Sequence, residues 1–140
     1  MSVSLSVVMP AYNERYLIAE SIRRVLALSS PRISRLELIV VDDGSQDGTR
    51  EIVRAIAAEN RDRMISIEHP ENRGKGAAVA TGIERASCDV TVIQDADLEY
   101  DPRDIPALLE PIVRGEADVV YGSRFLGGPH RVLYYWHYVG

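Results

Sequence analysis

The sequence predicts an α/β fold: a mainly parallel sheet with helices on both faces. Two observations carry this. Short apolar runs at 5–9, 36–41, 64–67, 90–93 and 119–121 each end in a polar cluster, as strands buried on both faces do. Helical patterns separate them. Ile18, Ile22, Val25 and Leu26 recur at helical spacing, as do Ile52, Val53, Ile56 and Ala57, and shorter candidates cover 77–86 and 105–113. Strand and helix in alternation call for parallel strands joined by right-handed crossovers. No internal repeat or low-complexity linker interrupts the pattern.

Composition narrows the function. A chain of 140 residues is the size of one domain with a single core, and 46% hydrophobic and 26% charged residues fall in the globular range. No apolar run approaches the ~20 residues a membrane-spanning helix needs. Met1-Ser2-Val3-Ser4 opens no basic-then-apolar leader, so a cytoplasmic location is expected. The net charge of -5, without a basic stripe, argues against nucleic-acid binding. The lone Cys88 reads as a small buried hydrophobe. Every basic residue but Lys75 is arginine, which excludes mechanisms needing a lysine elsewhere.

In open sheets of this class, ligands bind beyond the carboxyl ends of the strands. Four polar sequences share that rim: Pro10-Ala11-Tyr12-Asn13-Glu14, Asp42-Asp43-Gly44-Ser45, Asn72-Arg73-Gly74-Lys75-Gly76 and Asp95-Ala96-Asp97. Asp95 and Asp97 are two apart at a strand end, so an extended backbone points both carboxylates to one side, where they can share a cation. Hard oxygen donors without nearby histidine or cysteine favour Mg²⁺ or Mn²⁺, ions that complete their shells with water and substrate phosphates. A metal also answers the charge of a rim carrying Asp42, Asp43, Asp47, Asp95, Asp97, Glu99 and Asp101. The competing reading is that these acids cap the next helix or solvate a turn.

Other chemistries fit the same acids less well. Asp95-Ala96-Asp97 also resembles the nucleophile loop of haloacid-dehalogenase-type phosphatases, but that family uses a later lysine and none follows Lys75. A phosphoacceptor receiver reading of Val40-Val41-Asp42-Asp43 with a later aspartate fails for the same reason. Asp43-Gly44-Ser45-Gln46-Asp47-Gly48 imitates half an EF-hand loop, yet Arg54 stands where its closing glutamate belongs. Gly74-Lys75-Gly76 lacks the spacing of a Walker loop; its glycines let backbone approach a ligand, with Lys75 near phosphate or sugar, or form a simple turn.

Together these motifs, with Asp47-Gly48-Thr49 and Gly122-Ser123-Arg124-Phe125, resemble the family-two glycosyltransferases of the GT-A, Rossmann-like fold, and most of all the dolichyl- or polyprenyl-phosphate sugar synthases. The resemblance covers nearly the whole chain. It implies metal-dependent, inverting transfer of a hexose from a UDP- or GDP-sugar to a polyprenyl or dolichyl phosphate. Pro10, Ala11, Tyr12 and Glu14 would border the nucleoside, and Asp43, next to Asp42, would hydrogen-bond base or ribose. Gly74, Lys75 and Ala96 would complete the donor site. Asp95 and Asp97 would hold the metal, with Glu99 a further ligand. Asp97 and Arg124 would carry catalysis, Arg124 by touching the phosphates of donor or acceptor. The alternative is a nucleotide-sugar-binding fragment without turnover, since the family's later acceptor-side sequence does not follow.

Residues 1–126 therefore read as the donor-binding domain, and 127–140 as the start of an acceptor-side or interface helix belonging to a chain that continues. Six of the nine aromatics fall between Tyr121 and Tyr138. The expected helix from about Val132 would pack on the rest of the protein, form a homo-oligomer contact, or lie against the cytoplasmic membrane face. Removing the residues after Pro129 is expected to lessen association and to spare donor binding.

Overall fold

The computed structural model describes residues 1–121 and the strand 134–137. The chain runs β1 (Val3–Ala11), α1 (Ile18–Leu26), β2 (Ile33–Asp43), α2 (Thr49–Glu59), β3 (Met64–His69), α3 (Lys75–Arg85), β4 (Val90–Ile93), a 3₁₀ turn (Pro102–Asp104), α4 (Ile105–Val113), β5 (Val119–Tyr121) and β6 (Tyr134–His137). One six-stranded sheet has the order β3-β2-β1-β4-β6-β5. β3, β2, β1 and β4 are parallel, as expected. β6 is antiparallel to both neighbours.

Strand alternation deals the apolar side chains to two cores. Leu5, Val7, Met9, Leu38 and Val40 meet Ile18, Ile22 and Val25 of α1, Val53 of α2, and Ile105 and Leu109 of α4. On the opposite face Val8, Ile39 and Val41 meet Ala78 of α3. That side allows α3 very close to β1: a Cβ on Gly82 would stand 2.3 Å from Val8 Cγ1. The N-terminus of α3 is thereby brought to the strand ends where the polar loops gather.

The aromatic tail corrects the sequence reading. Tyr134 to His137 form a strand, not the helix expected from about Val132. Tyr and Trp suit a pleated, half-buried surface, and β4 offers an edge for them to pair with. Gly122-Ser123-Arg124-Phe125 and the rest of 122–133 and 138–140 lie outside the described residues. Among the described residues, no helix is long and apolar enough to cross a membrane.

Candidate nucleotide and metal site

The rim loops are tied to one another, and the ties set the site's shape. Asn13, at φ 51, turns the chain out of β1. Its amide donates to Ser45 Oγ at 2.9 Å, and Gln46 N donates back to Asn13 Oδ1 at 3.0 Å. Glu14 N donates to Thr49 Oγ1 at 2.9 Å. The β2–α2 loop in turn presses on the loop before α3. Gly44, at φ +75, has no room for a Cβ, which would lie 2.4 Å from Asn72 N.

Asp43 is the knot of this arrangement. It is 2% exposed, and its carboxylate accepts from Arg73 N and Gly74 N, both at 2.9 Å, and from Asn72 Nδ2 at 3.1 Å. His69 Nδ1 lies 2.8 Å from Asp43 Oδ1, and His69 Nε2 lies 2.9 Å from Thr81 Oγ1. Burial works against the charged form of Asp43, but these donors outweigh it and hold the carboxyl below its usual range. An ionised Asp43 assigns the proton of His69 to Nδ1, leaving Nε2 to accept from the Thr81 hydroxyl.

An open cleft of about 280 Å³ follows from these loops, lined by Pro10, Ala11, Tyr12, Glu14, Asp43, Asn72, Lys75, Ala78, Asp95, Ala96 and Asp97. Sequence reasoning named most of this wall. Two expected contacts are placed elsewhere. Asp42 is fully buried on the α2 side, where Arg50 Nε and Ser45 N bind its carboxylate, so it anchors the loop rather than facing the cleft. Gly74 caps α3 and gives its N–H to Asp43. Asn72 and Ala78 join the wall, and His69 and Thr81 support it.

At the other end of the cleft are the carboxylates. Lys75 Nζ lies 2.6 Å from Asp95 Oδ1. Asp97 Oδ1 accepts from Glu99 N at 3.0 Å, a turn that carries the exposed Glu99 away from the cleft wall. Among the described residues, no group of three or more acidic, histidine or cysteine side chains is set to hold a metal. Asp95, Asp97 and Glu99 are thus not a converged trio as expected. Two carboxylates still fit a hard cation that takes its remaining oxygens from a ligand. The surrounding charge favours one: burial, then Asp97, Asp47 and Asp95, push the Glu14 carboxyl above its usual range.

The profile of Glycosyl transferase family 2 matches residues 6–139. The chain belongs to that family. An undecaprenyl-phosphate 4-deoxy-4-formamido-L-arabinose transferase of Aeromonas hydrophila subsp. hydrophila is 36% identical over 111 residues, 79% of this chain and 34% of that protein. The Pseudomonas aeruginosa protein of the same name is 35% identical over 120 residues, 86% of this chain and 35% of its own. This family-two chain therefore spans about a third of the length of the curated relatives it matches.

Solved structures agree on the fold. A mannosyltransferase from Pyrobaculum calidifontis, in complex with GDP-Man and Mn²⁺, superposes with a TM-score of 0.67 at 36% identity, covering 76% of this chain and 31% of that one. Glucosyl-3-phosphoglycerate synthase from Mycobacterium tuberculosis, in complex with Mn²⁺, UDP and glucosyl-3-phosphoglycerate, gives 0.62 at 32% identity, covering 81% and 41%. The GT-A fold expected from the motifs is the fold observed, and the phosphatase and receiver readings fall with it.

Proposed function

We propose that this family-two chain is the donor-binding part of a metal-dependent, inverting glycosyltransferase acting on a UDP- or GDP-sugar and a polyprenyl phosphate at a membrane surface. The observation that carries the reading is the cleft itself. Pro10, Tyr12 and Asp43, beside Asn72, make a wall suited to a nucleoside, and Asp95, Asp97 and Lys75 form a charged end suited to a metal-bound diphosphate. Relatives named for undecaprenyl phosphate support the acceptor class, and neighbours holding Mn²⁺ with GDP-Man or UDP support the donor and the ion.

In this proposal Asp95 and Asp97 hold Mg²⁺ or Mn²⁺, which supplies Lewis-acid stabilisation of charge growing on the departing diphosphate. Lys75 adds a cation at the same end, and the Tyr12 ring lies along the nucleoside. A phosphate acceptor is already ionised at neutral pH, so the attacking oxygen needs no strong general base. Arg124 is assigned to the phosphates of donor or acceptor.

The testing experiment is a thermal-shift screen of UDP- and GDP-linked hexoses and pentoses, with and without Mn²⁺. Pentoses belong in it because the curated relatives transfer an arabinose derivative. A ligand at 100 times its dissociation constant stabilises by about 2.7 kcal/mol. No metal-dependent shift with either nucleotide would overturn the proposal. A second reading is donor binding without turnover. Formation of a glycosyl polyprenyl phosphate by this chain separates the two.

A further inference from the structure

The loop that carries Asp95 and Asp97 is fastened from behind. Ser21 of α1, 4% exposed, donates its hydroxyl to Ala96 O at 2.7 Å, across 75 residues of sequence. A serine inside a helix commonly turns its hydroxyl to the carbonyl one turn back. Here it reaches a different segment, and the carbonyl it holds belongs to the residue between the two carboxylates.

The loop's ends are held as well. Gln94 N donates to Val8 O at 2.9 Å, and the buried Gln94 side chain donates to Tyr100 O at 2.8 Å, which closes 94–100 into a compact turn. Within it Leu98 has φ 63. A bulky residue keeps that conformation only where its surroundings over-determine it. The backbone of this loop is thus set by its ties to α1 and β1 together with its own Gln94–Tyr100 closure.

Resting on the donor-site reading above, we infer that Ser21 is a positioning residue for the Asp95–Asp97 pair. Its hydroxyl fixes the Ala96–Asp97 peptide plane and so the relative aim of the two carboxylates. With that bond absent, the peptide can rotate, and two carboxylates that must share one cation lose their common direction. The same helix follows the loop bearing Tyr12 and Glu14, so one element sets both the nucleoside wall and the metal end.

The test uses Ser21→Ala, Ser21→Cys, which keeps the volume with a weak donor, and Ser21→Thr, which keeps the hydroxyl. Mn²⁺ binding with saturating UDP or GDP is read from the electron paramagnetic resonance signal of the free ion. Metal-free binding of UMP or GMP is read by NMR titration. Ser21→Ala and Ser21→Cys should weaken Mn²⁺ by about 3- to 10-fold, the size of one lost hydrogen bond. Ser21→Thr should retain the parent value, and the metal-free affinities should stay within about 2-fold. Parent-like Mn²⁺ affinity in both Ser21→Ala and Ser21→Cys overturns the inference, and so does equal loss in the metal and metal-free arms, the mark of a merely structural serine. A parent chain that binds no Mn²⁺ with either nucleotide sinks the donor-site reading itself, and this inference with it.

Discussion

Lys75 Nζ lies 2.6 Å from Asp95 Oδ1, so the chain's only lysine neutralises one of the two carboxylates proposed to hold a metal. The lysine side chain is 63% exposed, and an ion pair that open to water is worth about 0–1 kcal/mol. On the donor-site proposal a divalent ion displaces it at little cost, which frees the ammonium for a diphosphate bound with the ion. Lys75→Met should therefore change two affinities in opposite directions. Mn²⁺ alone should bind about 3-fold tighter, since its competitor is gone, while GDP or UDP with Mn²⁺ should bind more weakly. Calorimetric titration of both checks this. Loss of affinity in both arms would show that the lysine does not compete for the metal position.

Glu14 registers the charge of the same end of the cleft. Its carboxyl is pushed above 4.5 by burial and then by Asp97, Asp47 and Asp95, so the folded chain holds this proton more tightly than the unfolded chain. Stability then falls as pH rises from about 4.5 through the folded value. Asp97→Asn removes one of the charges and keeps the oxygen that accepts from Glu99 N. In EDTA the variant should lose less stability than the parent over that pH rise. With donor and Mn²⁺ it should forfeit most of the metal-dependent gain. Melting temperatures across pH 4–7.5 in the two conditions read both effects, and an unchanged metal response would remove Asp97 from the site.

Asp43 has the opposite sign. Its four donors, with His69 and two backbone amides among them, fill the acceptor sites a carboxylate offers. Its pKa is depressed below 3.8, so its contribution is complete above that value and is lost as pH falls through the folded pKa. Asp43→Ala should cost about 2–4 kcal/mol at pH 7, because buried donors are left unpaired. That gap should narrow below about pH 3.8. Denaturant melts at pH 7 and pH 3 test it. The expected contact between Asp43 and a base or ribose then takes the place of the Asn72 amide, so Asn72→Ala should tighten UMP or GMP binding. Weaker binding would make Asn72 the direct contact instead.

What the sequence could disclose follows from where each partner lies. Strands β1, β2 and β4 were legible because burial leaves apolar runs in them, β3 at the sheet's edge kept only a short run broken by Ser66, and the rim loops were legible because polar clusters interrupt those runs. The same burial hid the difference between Asp42 and Asp43. Neighbours on a strand face opposite sides, and nothing in the run says which side holds the ligand. Ser21, His69 and Gln94 carried no sequence signal. Each is a buried polar residue inside or beside an apolar element, and for Ser21 and His69 the partner, Ala96 or Asp43, comes from a distant segment. The run Tyr134-Tyr135-Trp136 has no period, so it fits strand or helix equally, and the edge of β4 decides.

That edge reverses the expectation for the tail. β6 lies between β4 and β5, pairing Thr91 and Val119 with Trp136, and Val92 and Val120 with Tyr135. Deleting residues 130–140 leaves the outer edge of β4 and the inner edge of β5 without their shared partner, and an unpaired edge is a template for pairing with another chain. β4 also leads directly into Gln94 and Asp95, so fraying there loosens the Asp95–Asp97 loop from its strand side. The shortened chain should melt at a lower temperature, associate in a concentration-dependent way, and lose Mn²⁺-dependent nucleotide binding. A tail helix that drives association would give the reverse on the first two counts. Light scattering over a range of concentrations, with a melting curve in Mn²⁺ and GDP or UDP, decides between them. A monodisperse shortened chain with the parent's melting temperature would show that β6 contributes nothing to the sheet's stability.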